Sequence, residues 1–106
     1  MQTTNTRSRE SRARDEILTA FVQLRSKDEA ARFLGDLCTP GEMKAFTERW
    51  RVARLLDGGG KTYRQIAEET GASTATVTRV ARFLMQEDNE GYRLILDRLN
   101  QSEAKS

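Results

Sequence analysis

Apolar side chains recur along this chain every three to four positions, which is the period of a helix and not of a strand. Ile17, Phe21 and Leu24, flanked by Leu18 and Val22, mark a first helix that starts near Ala13. Ala30, Phe33, Leu34 and Leu37 stripe a second, and Ser26 with Glu29 in front of them forms an S-x-x-E capping box. Thr39 opens a third and longer helix. Pro40 takes its first position, where a missing N–H costs nothing, and Glu42 completes a box with Thr39. Met43, Phe46, Trp50, Ala53 and Leu56 run down one face of it, and Val52 and Leu55 add a second apolar edge. So wide an apolar surface predicts neighbours on more than one side. Gly58, Gly59 and Gly60 end it. Thr62 with Gln65 caps a fourth helix that stops at Gly71. Ser73 or Thr74 caps a fifth that runs to about Met85. Asn89 and Gly91 break the pattern, and Tyr92, Ile95, Leu96 and Leu99 make a last stripe. The β-branched cluster Thr74–Val80 would suit a strand, but the cap before it and the Arg79-Val80-Ala81-Arg82 continuation favour a helix. The reading is an all-α chain of six helices. Residues 1–12 have no apolar side chain after Met1 and are expected to form a disordered basic arm. Residues 13–100 form the helical domain, and 101–106 a disordered tail.

The stretch from Tyr63 to Arg82 has the spacing of a helix-turn-helix. Gly71 sits at the sharp turn, with Ala67 four residues before it and Val77 six after it, where two crossing helices would meet. Ile66 and Val80 extend the same buried face. Ser73, Thr74, Ala75, Thr78, Arg79 and Arg82 are left pointing outward. They are small, hydroxylic or cationic, with no acid among them, which suits a helix in the major groove of DNA. Thr74, Ala75 and Thr78 are candidates for base edges, and Thr76 joins the set from the same helix. Arg79 and Arg82 are candidates for phosphates or bases. Lys61 and Arg64, near the start of the fourth helix, are candidate phosphate clamps. The competing readings are solvated charge for the cations and helix capping for the hydroxyls.

Composition narrows the setting. Of 106 residues 37% are hydrophobic and 32% charged, so one copy can close only a modest core. The net charge of +2 is unevenly spread: residues 1–14 carry +3, 15–57 carry −1, 58–85 carry +2 and 86–106 carry −2. Positive charge thus gathers on the leading arm and on the helix-turn-helix. No apolar run suits a signal peptide or a membrane span. Cys38 is alone and histidine is absent, so an internal disulfide is excluded and zinc has no ordinary ligand set. The expected compartment is the cytoplasm. Catalysis lacks its usual parts: no histidine, no base for Cys38, no paired carboxylates. Gly58-Gly59-Gly60-Lys61-Thr62 looks like the end of a phosphate-binding loop. That pattern needs a glycine where Leu55 stands and a strand where a helix precedes. The glycines read instead as a helix stop and a joint.

Six helices with a helix-turn-helix fourth and fifth resemble the Trp repressor family. The matching blocks are C-T-P-G-E at Cys38–Glu42, E-R-W-R-V at Glu48–Val52 and G-A-S-T-A-T-V-T-R at Gly71–Arg79. The chain is most similar to Trp-repressor-like proteins of the YerC/YecD type. These share the G-K-T-Y block, here Gly60–Tyr63, and the G-Y-x-x-x-L-x-R-L block, here Gly91–Leu99. The resemblance covers Ala13 to Asn100. It implies an intertwined homodimer in the bacterial cytoplasm, with two recognition helices meeting a palindromic stretch of double-stranded DNA. It further implies a sequence-specific transcription regulator that represses by occlusion. A helical module that holds a protein partner is the alternative. The family's tryptophan-holding positions are matched by Thr39, Arg49 and Arg79. Val80 stands where the repressor has a glycine beside the indole, and Phe83 where it has a serine near the ligand amine. Neither tryptophan nor any other cofactor is therefore expected to bind, and the effector is unspecified.

Overall fold

The computed structural model describes residues 2–105, with side chains from 7 to 103. Six helices follow one another: α1 (Gln2–Val22), α2 (Lys27–Leu37), α3 (Pro40–Gly58), α4 (Tyr63–Thr70), α5 (Thr74–Met85) and α6 (Gly91–Lys105). Among the described residues there is no strand. The chain divides into two compact units, one ending at Thr39 and one beginning at Pro40.

The first unit holds α1 and α2. Helix α1 begins at Gln2, not near Ala13, so helix replaces the arm predicted for residues 2–12. The physical reason is cooperativity. Once Ile17 to Val22 nucleate the helix, each added residue gains a hydrogen bond at little cost, and Arg, Glu and Gln are good helix formers. The described side chains of residues 7–16 are all exposed, as their polar character predicts. Ser26 caps α2 by accepting from the Glu29 N–H at 3.1 Å. The reciprocal half of the box is displaced by one residue: the Glu29 carboxylate accepts from Arg25 N–H at 2.9 Å. Phe21 meets Phe33 edge-on, with ring centroids 5.4 Å apart. No described side chain of this unit is fully buried, and Leu18, Val22 and Leu37 stand exposed.

The second unit carries the core. Val52 and Ala53 of α3, Ile66 of α4, Ala72 of the α4–α5 turn, Val77 and Val80 of α5, and Leu96 of α6 form one buried cluster. Ile66, Val52 and Val77 are fully out of solvent. Each such side chain stabilises the fold by about 1.5–3 kcal/mol. Trp50, Leu55, Leu56, Ala67, Leu84 and Tyr92 pack around the cluster, and Trp50 stacks on Tyr92 at 6.4 Å between centroids. The two apolar edges of α3 are thus both used, but only from Trp50 onward. Phe46, one stripe position earlier, is 44% exposed.

Polar contacts tie α6 to the end of α3. Arg93 pairs with Asp57 at 2.9 Å and with Asp97 at 2.8 Å, and Asn100 donates to Asp57 at 3.1 Å. The hydrogen bond from Arg93, then that from Asn100, holds the Asp57 carboxyl below its ordinary range. Arg54 reaches Glu103 at 3.3 Å. Helix α6 therefore continues past Asn100 to Lys105, through the segment predicted to be a tail.

Candidate nucleic-acid interface

Three local devices fix the α4–α5 pair. Thr62 and Gln65 close a full capping box at the start of α4: Thr62 Oγ1 accepts from Gln65 N–H at 3.1 Å, and Gln65 Oε1 accepts from Thr62 N–H at 2.8 Å. At the other end Gly71 adopts φ 79°, and its N–H reaches the Ala67 carbonyl at 3.0 Å. A side chain rarely tolerates that left-handed conformation, so glycine is the natural residue there. Beside it Thr70, only 7% exposed, donates from its hydroxyl to the Ile66 carbonyl at 2.8 Å and accepts from Ala72 N–H at 3.2 Å. The turn is thereby satisfied from within.

Ser73 then caps α5, accepting from Thr76 N–H at 3.1 Å and donating to Thr76 Oγ1 at 3.0 Å. Both hydroxyls are engaged in the cap, and Thr76 is half-buried. Of the predicted contact residues, these two are positioned mainly to start the helix. Val77, Val80 and Ala81 face the core. Thr74, Ala75, Thr78, Arg79 and Arg82 share the exposed side of α5, as the spacing predicts. Thr78 donates its hydroxyl proton to the Thr74 carbonyl at 3.0 Å, which leaves its methyl group and an oxygen lone pair at the surface.

The cations differ in their company. Lys61 is paired with Glu69, Arg64 with Glu68 at 3.6 Å, and Arg82 with Glu87 at 3.4 Å. Arg79 has no carboxylate partner among the described residues. Its guanidinium lies over the Phe83 ring, 4.4 Å from the centroid, and that of Arg82 lies 5.1 Å from the same ring. Sequence reasoning treated Phe83 only as a departure from a family position. Its place four residues after Arg79, on one helix face, was the signal that could have found this contact.

The residues matching the family's ligand positions each have their own surroundings. Thr39 closes the first unit. Arg49 is half-buried with its guanidinium 5.2 Å from the Phe46 ring, and Arg79 is on Phe83. Val80 is 1% exposed and belongs to the core cluster. Among the described residues, no helix is long and apolar enough to cross a membrane.

Known proteins resemble this chain. The uncharacterized protein YerC of Bacillus subtilis (strain 168) is 41% identical over 92 residues, which cover 87% of this chain and 86% of YerC. A Trp operon repressor homolog of Chlamydia trachomatis serovar L2 is 38% identical over 73 residues, covering 65% of this chain and 78% of its own. The crystal structure of a TrpR like protein from Eubacterium eligens ATCC 27750 superposes with a TM-score of 0.77 at 40% identity, covering 84% of this chain and 90% of that one. The family described as Trp repressor protein matches residues 13–100. With most of its length, its six-helix order and its α4–α5 turn accounted for in this way, the chain belongs to the Trp repressor family of regulators.

Proposed function

We propose that this chain is a sequence-specific DNA-binding transcription regulator of the bacterial cytoplasm, acting as a homodimeric repressor on a palindromic operator. One observation carries the reading: the exposed, acid-free side of α5, with Thr74, Ala75, Thr78, Arg79 and Arg82, is mounted on a helix-turn-helix whose other side is locked into the core. Such a helix can enter the major groove as a rigid body, presenting methyl groups, hydroxyls and guanidinium edges to bases and phosphates. Lys61 and Arg64 flank it as backbone contacts. Family membership supports the same reading.

The homodimer is supported by apolar surface that one copy leaves uncovered. Leu18 and Val22 of α1, Phe46 of α3, and Leu94, Ile95 and Leu99 of α6 are all exposed. A second copy would take such side chains out of water. Tryptophan is not the effector in this reading. Val80 fills core volume where the repressor leaves space for an indole, and the Phe83 ring already lies against the Arg79 guanidinium.

Selection of bound fragments from random duplex DNA tests the proposal. A palindrome with half-sites about 34–36 Å apart is expected, with affinity falling as salt rises. Thr78→Ala and Arg79→Ala should each weaken binding to the selected site by about 1–3 kcal/mol while keeping the helical circular dichroism spectrum. Selection that enriches no sequence, or two variants that bind like wild type, would overturn it.

A further inference from the structure

Phe83 is half-buried on α5 and two guanidinium groups sit over its ring, from Arg79 at 4.4 Å and Arg82 at 5.1 Å. From this geometry we infer that Phe83 is a positioning residue that holds Arg79 ready for DNA; the inference rests on the DNA-binding reading above. Side chains on a helix lean toward its N-terminus, so Phe83 lies back over the turn that carries Arg79. The Arg79 guanidinium carbon lies over the ring, 4.4 Å from its centroid. An aromatic face attracts the cation through its charge, so the contact commits none of the guanidinium N–H donors to a carboxylate. The other candidate cations are held differently. Lys61, Arg64 and Arg82 each spend donors on a carboxylate, from Glu69, Glu68 and Glu87. Arg79 is thus the one member of the set, among the described residues, that packs on an aromatic ring and has no carboxylate partner. A flexible arginine must lose rotamer freedom on binding, and Phe83 removes part of that loss in advance.

The test uses full-length protein with Phe83→Leu, which keeps apolar bulk, and Phe83→Tyr, which keeps the ring. Affinity for a selected duplex is measured for each, alone and combined with Arg79→Ala. Phe83→Leu should weaken binding roughly 2- to 5-fold. Phe83→Tyr should bind within about twofold of wild type, because the aromatic face is unchanged. In the Arg79→Ala background the Leu substitution should cost clearly less than in wild type, with only the Arg82 contact left to lose, a coupling that a general loss of packing would not give. In the free protein, ring-current shifts of the Arg79 side-chain protons should be present in wild type and Phe83→Tyr and lost in Phe83→Leu. A Leu variant that binds as tightly as wild type, or that loses as much affinity without Arg79 as with it, would overturn the inference alone. Wild-type protein that binds no duplex would overturn the DNA-binding reading and this inference with it.

Discussion

Replacing Gly71 by alanine separates the backbone of the turn from its packing. Gly71 sits at φ 79° and ψ −1°, and a Cβ built there meets no heavy atom within 4 Å. Steric collision therefore contributes nothing, and the cost is conformational. Holding an L-residue in the left-handed region costs roughly 1–2 kcal/mol. The unfolded alanine chain has less freedom to lose, which offsets about 0.4–1 kcal/mol. The expected net destabilisation is about 1 kcal/mol. The Gly71 N–H bond to the Ala67 carbonyl survives, so α4 and α5 keep their relation and DNA affinity per folded molecule should be unchanged. Asparagine tolerates this conformation better, so Gly71→Asn should cost less than Gly71→Ala. Urea unfolding at one fixed protein concentration measures all three proteins. An alanine variant as stable as wild type would refute the conformational argument. A loss above about 3 kcal/mol would refute the claim of open space, and an asparagine variant worse than alanine would refute both.

Other measurements address the remaining claims. Sedimentation at low micromolar concentration should show twice the chain mass, and the thermal midpoint should rise with protein concentration; a folded monomer with a fixed midpoint would remove the homodimer. Asp57, whose carboxyl is held below its ordinary value by Arg93 and Asn100, contributes stability that is fully present above the unfolded carboxylate range and lost as pH falls through the lower folded value. The stability difference between wild type and Asp57→Asn should accordingly shrink in acid below about pH 4, and a difference that stays constant with pH would count against the assignment. Titration calorimetry with millimolar L-tryptophan, with and without operator DNA, should show no one-per-chain heat. A clear heat, or tighter operator binding, would mean that Val80 and Phe83 leave the pocket open.

Local signals were the legible ones. Thr62, Gln65, Gly71 and Ser73 act within four residues of themselves, and the boundaries of α4 and α5 follow from them. The buried side of α5 was legible too, because Val77 and Val80 are bulky and apolar where Thr74, Thr78, Arg79 and Arg82 on the exposed side are polar. The start of α1 was not. Residues 2–12 carry no apolar stripe, and the helix there is continued from a downstream nucleus rather than specified locally. The partners of Arg93 and Arg54 were hidden for a different reason. Asp57 and Glu103 lie 36 and 49 positions away, and spacing says nothing at that range. Phe46 illustrates a third limit. Its stripe is continuous with Trp50 and Ala53, yet one copy of the chain buries only the later part. Periodicity reports which side of a helix is apolar, not what covers it. Within the candidate interface, the sequence placed Lys61, Arg64 and Arg82 outward but could not show that each arrives with its own carboxylate.

Those carboxylates bear on how such a surface would discriminate between DNA sequences. A bare lysine or arginine that meets a phosphate sets free a counterion, and that release drives sequence-blind adhesion. A cation already partnered by Glu68, Glu69 or Glu87 must exchange one anion for another, and the displaced glutamate must find a cation of its own. The entropy gained per contact is correspondingly smaller. On this account the chain would have a weak grip on arbitrary DNA and would spend little of its population on the rest of the genome. Its hold on an operator would come chiefly from groove fit at Thr74, Ala75 and Thr78, from the unneutralised Arg79, and from engaging two half-sites at once.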